Sequence, residues 1–472
     1  MDKKTTPKDC FRNKKTTVMG LGLFGGGVGI TKFLVSQDAN VTVTDLKSAE
    51  ELSQSLKLLD GLPVKYRLGK HLEEDFSDVD LLIVNPAIPN ESKFLQIAKD
   101  NNVHIDTELN IFFKLCPAPI VGITGSNGKS TTTSLIGNML KEAGFRTWVG
   151  GNIGISLLEH IEEIKPRDMV VLEISSFQLD NLSKIKLSPH VSVVTNIAPN
   201  HLDRHKNIKD YIDAKKTIIL YQKEGDFAIL NYDDQVLRKW GSECKSNILW
   251  YSTKRELKWG AFPHNNEIII NYNLKKTVIS CLSGIKIKGI HNIQNIMAAA
   301  CVANIIGANA GSIKNAVINF SGLEHRLEFV SKINGIQYYN DSKATTPEAS
   351  IAGIKAFENP IILIAGGYDK GINLNQFARE CAKNTKSVIL IGETAKNIQK
   401  LIQNIRSKYA KPDIYLSPSL NDSVRKANTI ARHGDVVLLS PACASYDMFT
   451  NYEERGKRFK EHVRQMAVNL SC

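Results

Sequence analysis

The densest chemistry in the chain lies in Gly122-Ile123-Thr124-Gly125-Ser126-Asn127-Gly128-Lys129-Ser130-Thr131. The apolar run Ala118-Pro119-Ile120-Val121 before it reads as a strand. After it, Leu135, Ile136, Met139 and Leu140 recur at helical spacing until Gly144. A strand, a glycine turn and a helix N-terminus make a phosphate site, because the first N–H groups of a helix have no partner within it and attract anions. Lys129 can reach the β- and γ-phosphates of a nucleoside triphosphate, and the Ser130 hydroxyl can sit on Mg²⁺. Five residues rather than the usual four separate Gly122 from Gly128, and Gly125 is an additional glycine. The flanking strand and helix favour nucleotide binding over a plain turn.

Further polar groups stand at the ends of apolar runs. Met169-Val170-Val171-Leu172 ends in Glu173, followed by Ser175-Ser176-Phe177-Gln178. A carboxylate at the end of a strand beside the phosphate-loop strand is where a Mg²⁺ ligand belongs. The bland alternative is a strand-end Glu in solvent. Val191-Ser192-Val193-Val194-Thr195 leads into a polar stretch where His201 is a candidate metal or phosphate ligand and His205 reads as surface. Gly150-Gly151-Asn152-Ile153-Gly154 is a loop suited to lie against phosphates. His291-Asn292-Ile293-Gln294-Asn295 opens an Ala-rich helix with two amides one turn apart; they suit a purine or a metal's ligand shell, or are an ordinary helix start.

The elements that must hold these groups form an α/β pattern. Up to about Leu115, Thr16-Thr17-Val18-Met19 runs into Gly20-Leu21-Gly22-Leu23-Phe24-Gly25, and a second strand ends in Asp45, 20 positions after Gly25. That is a dinucleotide-binding pattern, though the same geometry holds any nucleotide diphosphate. The run Gly25-Gly26-Gly27 is loose for a helix start. Between Gly225 and Lys288 the chain reads as short strands with Asn-rich turns. From Leu323 onwards, after a charged hinge at Glu324-His325-Arg326-Leu327-Glu328, four βα units start at Ile336, Ile361, Ser387 and Asp435. They predict another doubly wound sheet with its polar residues at the strand C-termini.

Composition sets the class. A chain of 472 residues is too long for one ordinary core. Hydrophobic residues at 42% and charged residues at 23% are those of a soluble globular protein. The longest apolar runs fall short of a bilayer span, so membrane insertion is not expected. The basic start, Met1 to Lys15, has no apolar core of a secretory signal, and a cytoplasmic enzyme is expected. Net charge is +12, but lysine is spread along the chain without a tight basic block, so nucleic-acid binding is not expected. The eight cysteines are scattered and fit a reducing compartment.

Taken together, the motifs resemble the Mur ligases of peptidoglycan synthesis, over essentially the whole chain. The likeness rests on the loop at 122–131, Leu-Glu-Ile-Ser-Ser-Phe-Gln-Leu at 172–179, His-Leu-Asp-Arg at 201–204 and His-Asn-Ile-Gln-Asn at 291–295. It rests further on His-Arg-Leu-Glu at 325–328, Asn-Asp-Ser-Lys-Ala-Thr at 340–345 and Leu-Ser-Pro-Ala-Cys-Ala-Ser at 439–445. The Ser-Ser-Phe-Gln, Asp-Ser-Lys-Ala-Thr and Ser-Pro-Ala-Cys-Ala-Ser motifs are similar to those of the D-glutamate-adding members.

The resemblance implies an ATP-dependent amide ligase with three α/β domains: Rossmann-like at 1–115, P-loop ATPase-like at 116–322 and Rossmann-like at 323–472. They would bind the UDP-linked substrate UDP-MurNAc-L-Ala, ATP and D-glutamate respectively, in a monomer. It implies that Leu23, Phe24, Asp45, Lys47, Ala87, Asn152, Ser175 and Gln178 surround the UDP substrate. ATP would lie on Gly125, Ser126, Asn127, Gly128, Lys129, Ser130 and Thr131, with Asn292, Arg326 and Asp341. Two Mg²⁺ ions would be held by Ser130, Glu173, His201 and Lys215, and Lys215 would carry an N6-carboxyl group. Lys129, His201 and Lys215 would be the catalytic set. Lys343, Thr345, Lys370, Ser445, Tyr446 and Tyr452 would shape the glutamate pocket. The chain departs from the family at Ala87, often Gly, and at Tyr446 and Tyr452.

Overall fold

The computed structural model describes residues 10–22, 25–86, 88–198, 207–405 and 412–469. Three sheets follow one another along the chain. The first contains β1 (Lys15–Met19), β2 (Asn40–Asp45), β3 (Val64–Leu68), β4 (Leu81–Val84) and β5 (His104–Asp106), all parallel, in the order β3-β2-β1-β4-β5. The order reverses between β1 and β4, so the loops after those two strands diverge and leave a crevice.

The second sheet contains β6 (Ile120–Thr124), β7 (Thr147–Gly151), β8 (Met169–Glu173), β9 (Val191–Val194) and β10 (Phe227–Asn231). It continues with β11 (Asn247–Tyr251), β12 (Gly260–His264), β13 (Glu267–Tyr272) and β14 (Lys275–Cys281). Its order is β14-β13-β12-β11-β10-β9-β6-β8-β7. The strands are parallel except for the antiparallel pairs β12–β13 and β13–β14. The central strand β6 lies between β8 and β9, so the ends of three strands meet at the glycine loop. Every residue of β6 and β8 is buried, which is why both read as unbroken apolar runs rather than alternating ones.

The third sheet contains β15 (Glu328–Ile333), β16 (Ile336–Asn340), β17 (Ile361–Gly366), β18 (Ser387–Ile391), β19 (Asp413–Leu416) and β20 (Val436–Leu439), in the order β15-β16-β20-β17-β18-β19. The four expected βα strands are β16, β17, β18 and β20. Two more occur at the edges: β15, antiparallel to β16, and β19, parallel to β18. The stretch expected as a hinge therefore ends in the first residue of a strand. Side chains alternate across this sheet into two apolar layers, Leu363 and Leu438 on one face, Ile362, Ile364 and Leu439 on the other.

The chain folds into two compact units. One comprises Met1–Leu282 with Gln294–Val317, the other Ser283–Ile293 with Ile318–Cys472. Within the first unit, the first two sheets share a continuous apolar core running from Val18, Leu21 and Ile30 through Leu157 and Ile161 to Val170 and Leu179. The glycine run expected to be loose has a packing role here. A side chain at Gly25 would meet the Gly154 carbonyl at 2.6 Å, and one at Gly29 would meet Ser156 Cβ at 2.4 Å. Glycine lets the helix Gly26–Ser36 press against the loop that follows β7. Among the described residues, no helix is long and apolar enough to cross a membrane, and the described cysteines are free thiols.

Candidate active site

The phosphate loop leaves β6 and enters the helix Lys129–Glu142 through Gly128, whose φ of 86° is a left-handed conformation that disfavours any side chain. A Cβ there would also meet Asn295 Oδ1 at 2.4 Å. The loop is held from outside. Asn127 O accepts from Thr195 Oγ1 at 2.5 Å and from Asn196 Nδ2 at 3.0 Å, and Asn127 N donates to Asn196 Oδ1 at 3.0 Å. Ser126 Oγ donates to Ala198 O at 2.8 Å and lies 2.9 Å from the Tyr211 hydroxyl. Lys129 Nζ folds over the loop and donates to Gly125 O at 2.9 Å and Ser126 O at 3.2 Å. Ser130 and Thr131 are buried in the first helical turn. The helix N-terminus and the lysine together form a concentrated positive site for phosphate.

An acid and a second lysine stand beside it. Glu173, the last residue of β8, is 3% exposed. Its Oε1 accepts from Asn152 Nδ2 at 3.0 Å. Its Oε2 is buried with no hydrogen-bond partner among the described residues. Such an acceptor is costly to bury, and a bound cation would satisfy it. The donor set, a carboxylate oxygen beside the Ser130 turn, suits hard Mg²⁺. Lys215, on the helix Ile208–Leu220, is 2% exposed. Its Nζ donates to Gly125 O at 3.1 Å and Thr124 Oγ1 at 3.3 Å. Burial first, and then the Lys129 charge, hold its pKa well below the usual lysine value, with Glu173 pulling the other way. The loop thus has beside it a buried lysine whose charged form is disfavoured, bonded to the Gly125 carbonyl and the Thr124 hydroxyl.

The crevice at the first sheet's switch point is a cavity of about 690 Å³. It is lined by the Gly20–Gly22 turn, Asp45, Lys47, His71 and Asn85, and continues past Glu108 to Asn152, Ser156, Ser175 and Gln178. Asp45 turns inward: Oδ2 accepts from Leu21 N at 2.9 Å and Gly22 N at 3.2 Å, and Oδ1 from Lys47 N at 3.0 Å. The carboxylate therefore shapes the glycine turn. Ser175 and Gln178 form a reciprocal capping box at the start of the helix Ser176–Lys184.

In the second unit, the loops after β16, β17 and β20 gather on one sheet edge. Arg455, 1% exposed, ties two of them: Nη1 and Nη2 donate to Cys443 O at 3.2 Å, Nη1 to Ala444 O at 3.2 Å, and Nη2 to Ser342 O at 2.9 Å. Tyr368 N, in the third loop, donates to Ala444 O at 3.0 Å. Lys343 lies 5.6 Å from the Tyr452 ring centroid and Lys370 5.5 Å from that of Tyr446, which is 62% exposed. Thr345 N donates to Lys343 O at 2.9 Å, and Ser445 is buried. Asp341 is buried, accepting from Ser440 Oγ at 2.7 Å and Leu327 N at 3.2 Å, with the Arg326 charge nearby. Asn292 Nδ2 donates to Lys288 O at 2.7 Å.

The structure brings together Lys129, Ser130, Glu173, Lys215 and Asn152 in the first unit, and Lys343, Lys370, Ser445, Tyr446 and Tyr452 in the second. Leu23, Phe24, Ala87 and His201 lie outside the described residues. Sequence reasoning missed His71, Glu108, Ser156 and Arg455. No motif marks His71 or Glu108, and no local pattern marks an arginine that holds distant carbonyls.

Fold and site define a class: an α/β nucleotide-binding protein with a phosphate-loop sheet between two Rossmann-like sheets in chain order. Family models narrow it. A Mur ligase MurD-like N-terminal domain matches residues 14–106, a Mur ligase middle domain 123–303, and a Mur ligase glutamate ligase domain 325–443. The UDP-N-acetylmuramoylalanine--D-glutamate ligase of Acetivibrio thermocellus is 41% identical over 463 residues, 97% of this chain and 98% of that protein. The protein of the same name from Caldanaerobacter subterraneus subsp. tengcongensis is 42% identical over 458 residues, 97% of this chain and 99% of its own length. In fold, the chain is similar to the UDP-N-acetylmuramate-alanine ligase of Thermotoga maritima, with a TM-score of 0.63 at 18% identity over 96% of this chain and 100% of that one. It is also similar to the MurF ligase of Thermotoga maritima in complex with ADP, with a TM-score of 0.55 at 18% identity over 82% of this chain and 96% of that one. The chain belongs to the Mur ligase family.

Proposed function

We propose that the chain joins D-glutamate to UDP-N-acetylmuramoyl-L-alanine in peptidoglycan precursor synthesis, converting ATP to ADP and phosphate. The observation that carries this reading is the cluster around the phosphate loop of Lys129, Lys215 and the Glu173 oxygen that has no hydrogen-bond partner among the described residues. Support also comes from the full-length relatives that bear this ligase name. The substrate carboxylate attacks the γ-phosphorus, the bond to the β-γ bridging oxygen breaks, and ADP leaves an acyl phosphate. The glutamate amine then attacks the acyl carbon, loses a proton, and expels phosphate through a tetrahedral intermediate.

The loop amides of Gly125, Ser126, Asn127, Gly128 and Thr131 hold the triphosphate, and Lys129 neutralises charge that develops on its oxygens. Ser130, Glu173, His201 and Lys215 hold Mg²⁺, two ions in this reading; Mg²⁺ supplies further charge neutralisation at the transferred phosphoryl group. Lys215 is N6-carboxylated: its neutral amine forms an N–C bond to CO₂, releases a proton, and becomes an anionic oxygen donor. Asn292, Arg326 and Asp341 serve ATP. Leu23, Phe24, Asp45, Lys47, Ala87, Asn152, Ser175 and Gln178 surround the UDP substrate. Lys343, Thr345, Lys370, Ser445, Tyr446 and Tyr452 receive glutamate, the two lysines answering its two carboxylates. The domains are 1–115, 116–322 and 323–472, in a cytoplasmic monomer without nucleic-acid or membrane partners.

Phosphate release tests the reading. It should require ATP, UDP-MurNAc-L-Ala and D-glutamate together, with L-glutamate inert. Release without the UDP compound, or stimulated by no amino acid, would refute it.

A further inference from the structure

The cavity of the first unit contains one acid to which the ligase reading gives no role. Glu108 opens the helix Glu108–Leu115 and lines the cavity where the first sheet's glycine helix meets the loop after β7. Its Oε2 lies 3.8 Å from where a Cβ on Gly26 would sit. Ser156 Oγ donates to Glu108 Oε1 at 2.7 Å and accepts from Leu158 N at 3.3 Å, which fixes Oε1 as an acceptor. Oε2 has no hydrogen-bond partner among the described residues. Burial raises the Glu108 pKa, and the Ser156 hydrogen bond opposes that rise. A second donor would act in the same direction as Ser156.

A carboxylate beside a helix N-terminus is a poor neighbour for a diphosphate, because like charges repel in a part-buried site. Its complement is a neutral donor. UDP ends at its diphosphate, whereas the UDP-linked substrate continues into a sugar with hydroxyls and amide N–H groups. Glu108 is bonded to Ser156 of the loop after β7, and Asn152 of the same loop bonds Glu173, so this stretch of cavity wall connects Glu108 to the acid beside the phosphate loop.

We infer that Glu108 is a specificity-determining residue, its Oε2 accepting a hydrogen bond from a hydroxyl or amide N–H of the substrate's sugar-linked portion. This rests on the cavity being the UDP-substrate pocket. The residue makes the site prefer the UDP-linked sugar over the bare nucleotide.

Calorimetric titration of the full chain with UDP and with UDP-MurNAc-L-Ala tests this. In Glu108→Gln the amide oxygen keeps Ser156 and the NH₂ group faces the substrate donor, so donor meets donor. UDP affinity should not fall by more than about twofold, while the UDP-sugar weakens about tenfold or more, the size expected for a hydrogen bond to a charged group. Ser156→Ala leaves the carboxylate in the cavity and should retain most of the preference. Equal weakening of both ligands, no change in either, or a Ser156→Ala loss matching that of Glu108→Gln would overturn the inference. Should Glu108→Gln not fold, Glu108→Asp withdraws the carboxylate and the same affinity ratio decides. A wild-type protein that binds neither ligand would instead overturn the pocket assignment itself.

Discussion

Replacing Glu173 with Gln sets stability against activity. In the folded chain Oε1 is engaged by Asn152 at 3.0 Å and Oε2 is buried without a partner among the described residues. An unsatisfied buried polar group costs about 1–3 kcal/mol, and more when charged. Gln preserves the shape and the Asn152 contact while removing the buried charge. The variant should therefore be as stable as wild type, or more stable by about 1–2 kcal/mol. What it forfeits is the Glu173 charge that pulls the Lys215 pKa upward against burial and Lys129. Turnover should move the other way. Loss of a ligand to the Mg²⁺ that would neutralise the transferring phosphoryl group is worth roughly 3 kcal/mol, about 100-fold in rate. Urea melts give the first quantity, and ATP-dependent phosphate release at saturating Mg²⁺ gives the second. A variant destabilised by more than about 1 kcal/mol with turnover within about tenfold of wild type would show that Glu173 is a structural acid and refute the reasoning.

Two other outcomes follow from the same geometry. Lys215→Ala should lose turnover and regain part of it with added formate or acetate, which can supply the missing carboxylate oxygens; activity that salts of neither acid restore would count against carboxylation. Burial pushes the Asp341 carboxyl up to about 7 from 3.8, against the opposing pull of Ser440, the Leu327 amide and Arg326. The folded form therefore holds this proton more tightly than the unfolded chain. The stabilisation is complete below the unfolded value and is lost as pH rises through about 7. About three pKa units correspond to at most ~4 kcal/mol. Asp341→Asn should flatten the stability–pH curve over that window, and an unchanged slope in denaturant melts between about pH 4 and pH 8 would exclude the linkage.

Much of this was legible before any coordinates. The strands of the central sheets are buried on both faces, so their apolar runs stand out, and the glycine turns after β1 and β6 sit where the spacing places them. The edge strands β15 and β19 escaped because their residues are mostly half-exposed or exposed and carry no apolar run or clean alternation. Asn295 was visible as an amide suited to a ligand, but its Oδ1 packs against Gly128 and accepts from Thr132 Oγ1 at 3.3 Å. Ser175 and Gln178 carry the three-residue spacing of a capping box, and that local bond is present alongside their place in the cavity wall. Glu108 and Arg455 were not readable, because their partners lie 48 and up to 113 residues away and nothing in one dimension links them.

The contact between Asn295 and the phosphate loop has a consequence for how the protein is made. Thr132 and Asn295 are 163 residues apart in sequence. At about 5–20 residues per second, a ribosome that has released the loop needs roughly ten to thirty seconds to deliver the amide that backs it. Through that interval the nascent chain has the glycines and Lys129 but not their support. A terminated product ending before the Ile290–Ile306 helix would carry the nucleotide signature without the wall behind it. The packing behind Gly128 is thereby completed only once synthesis has passed well beyond the loop.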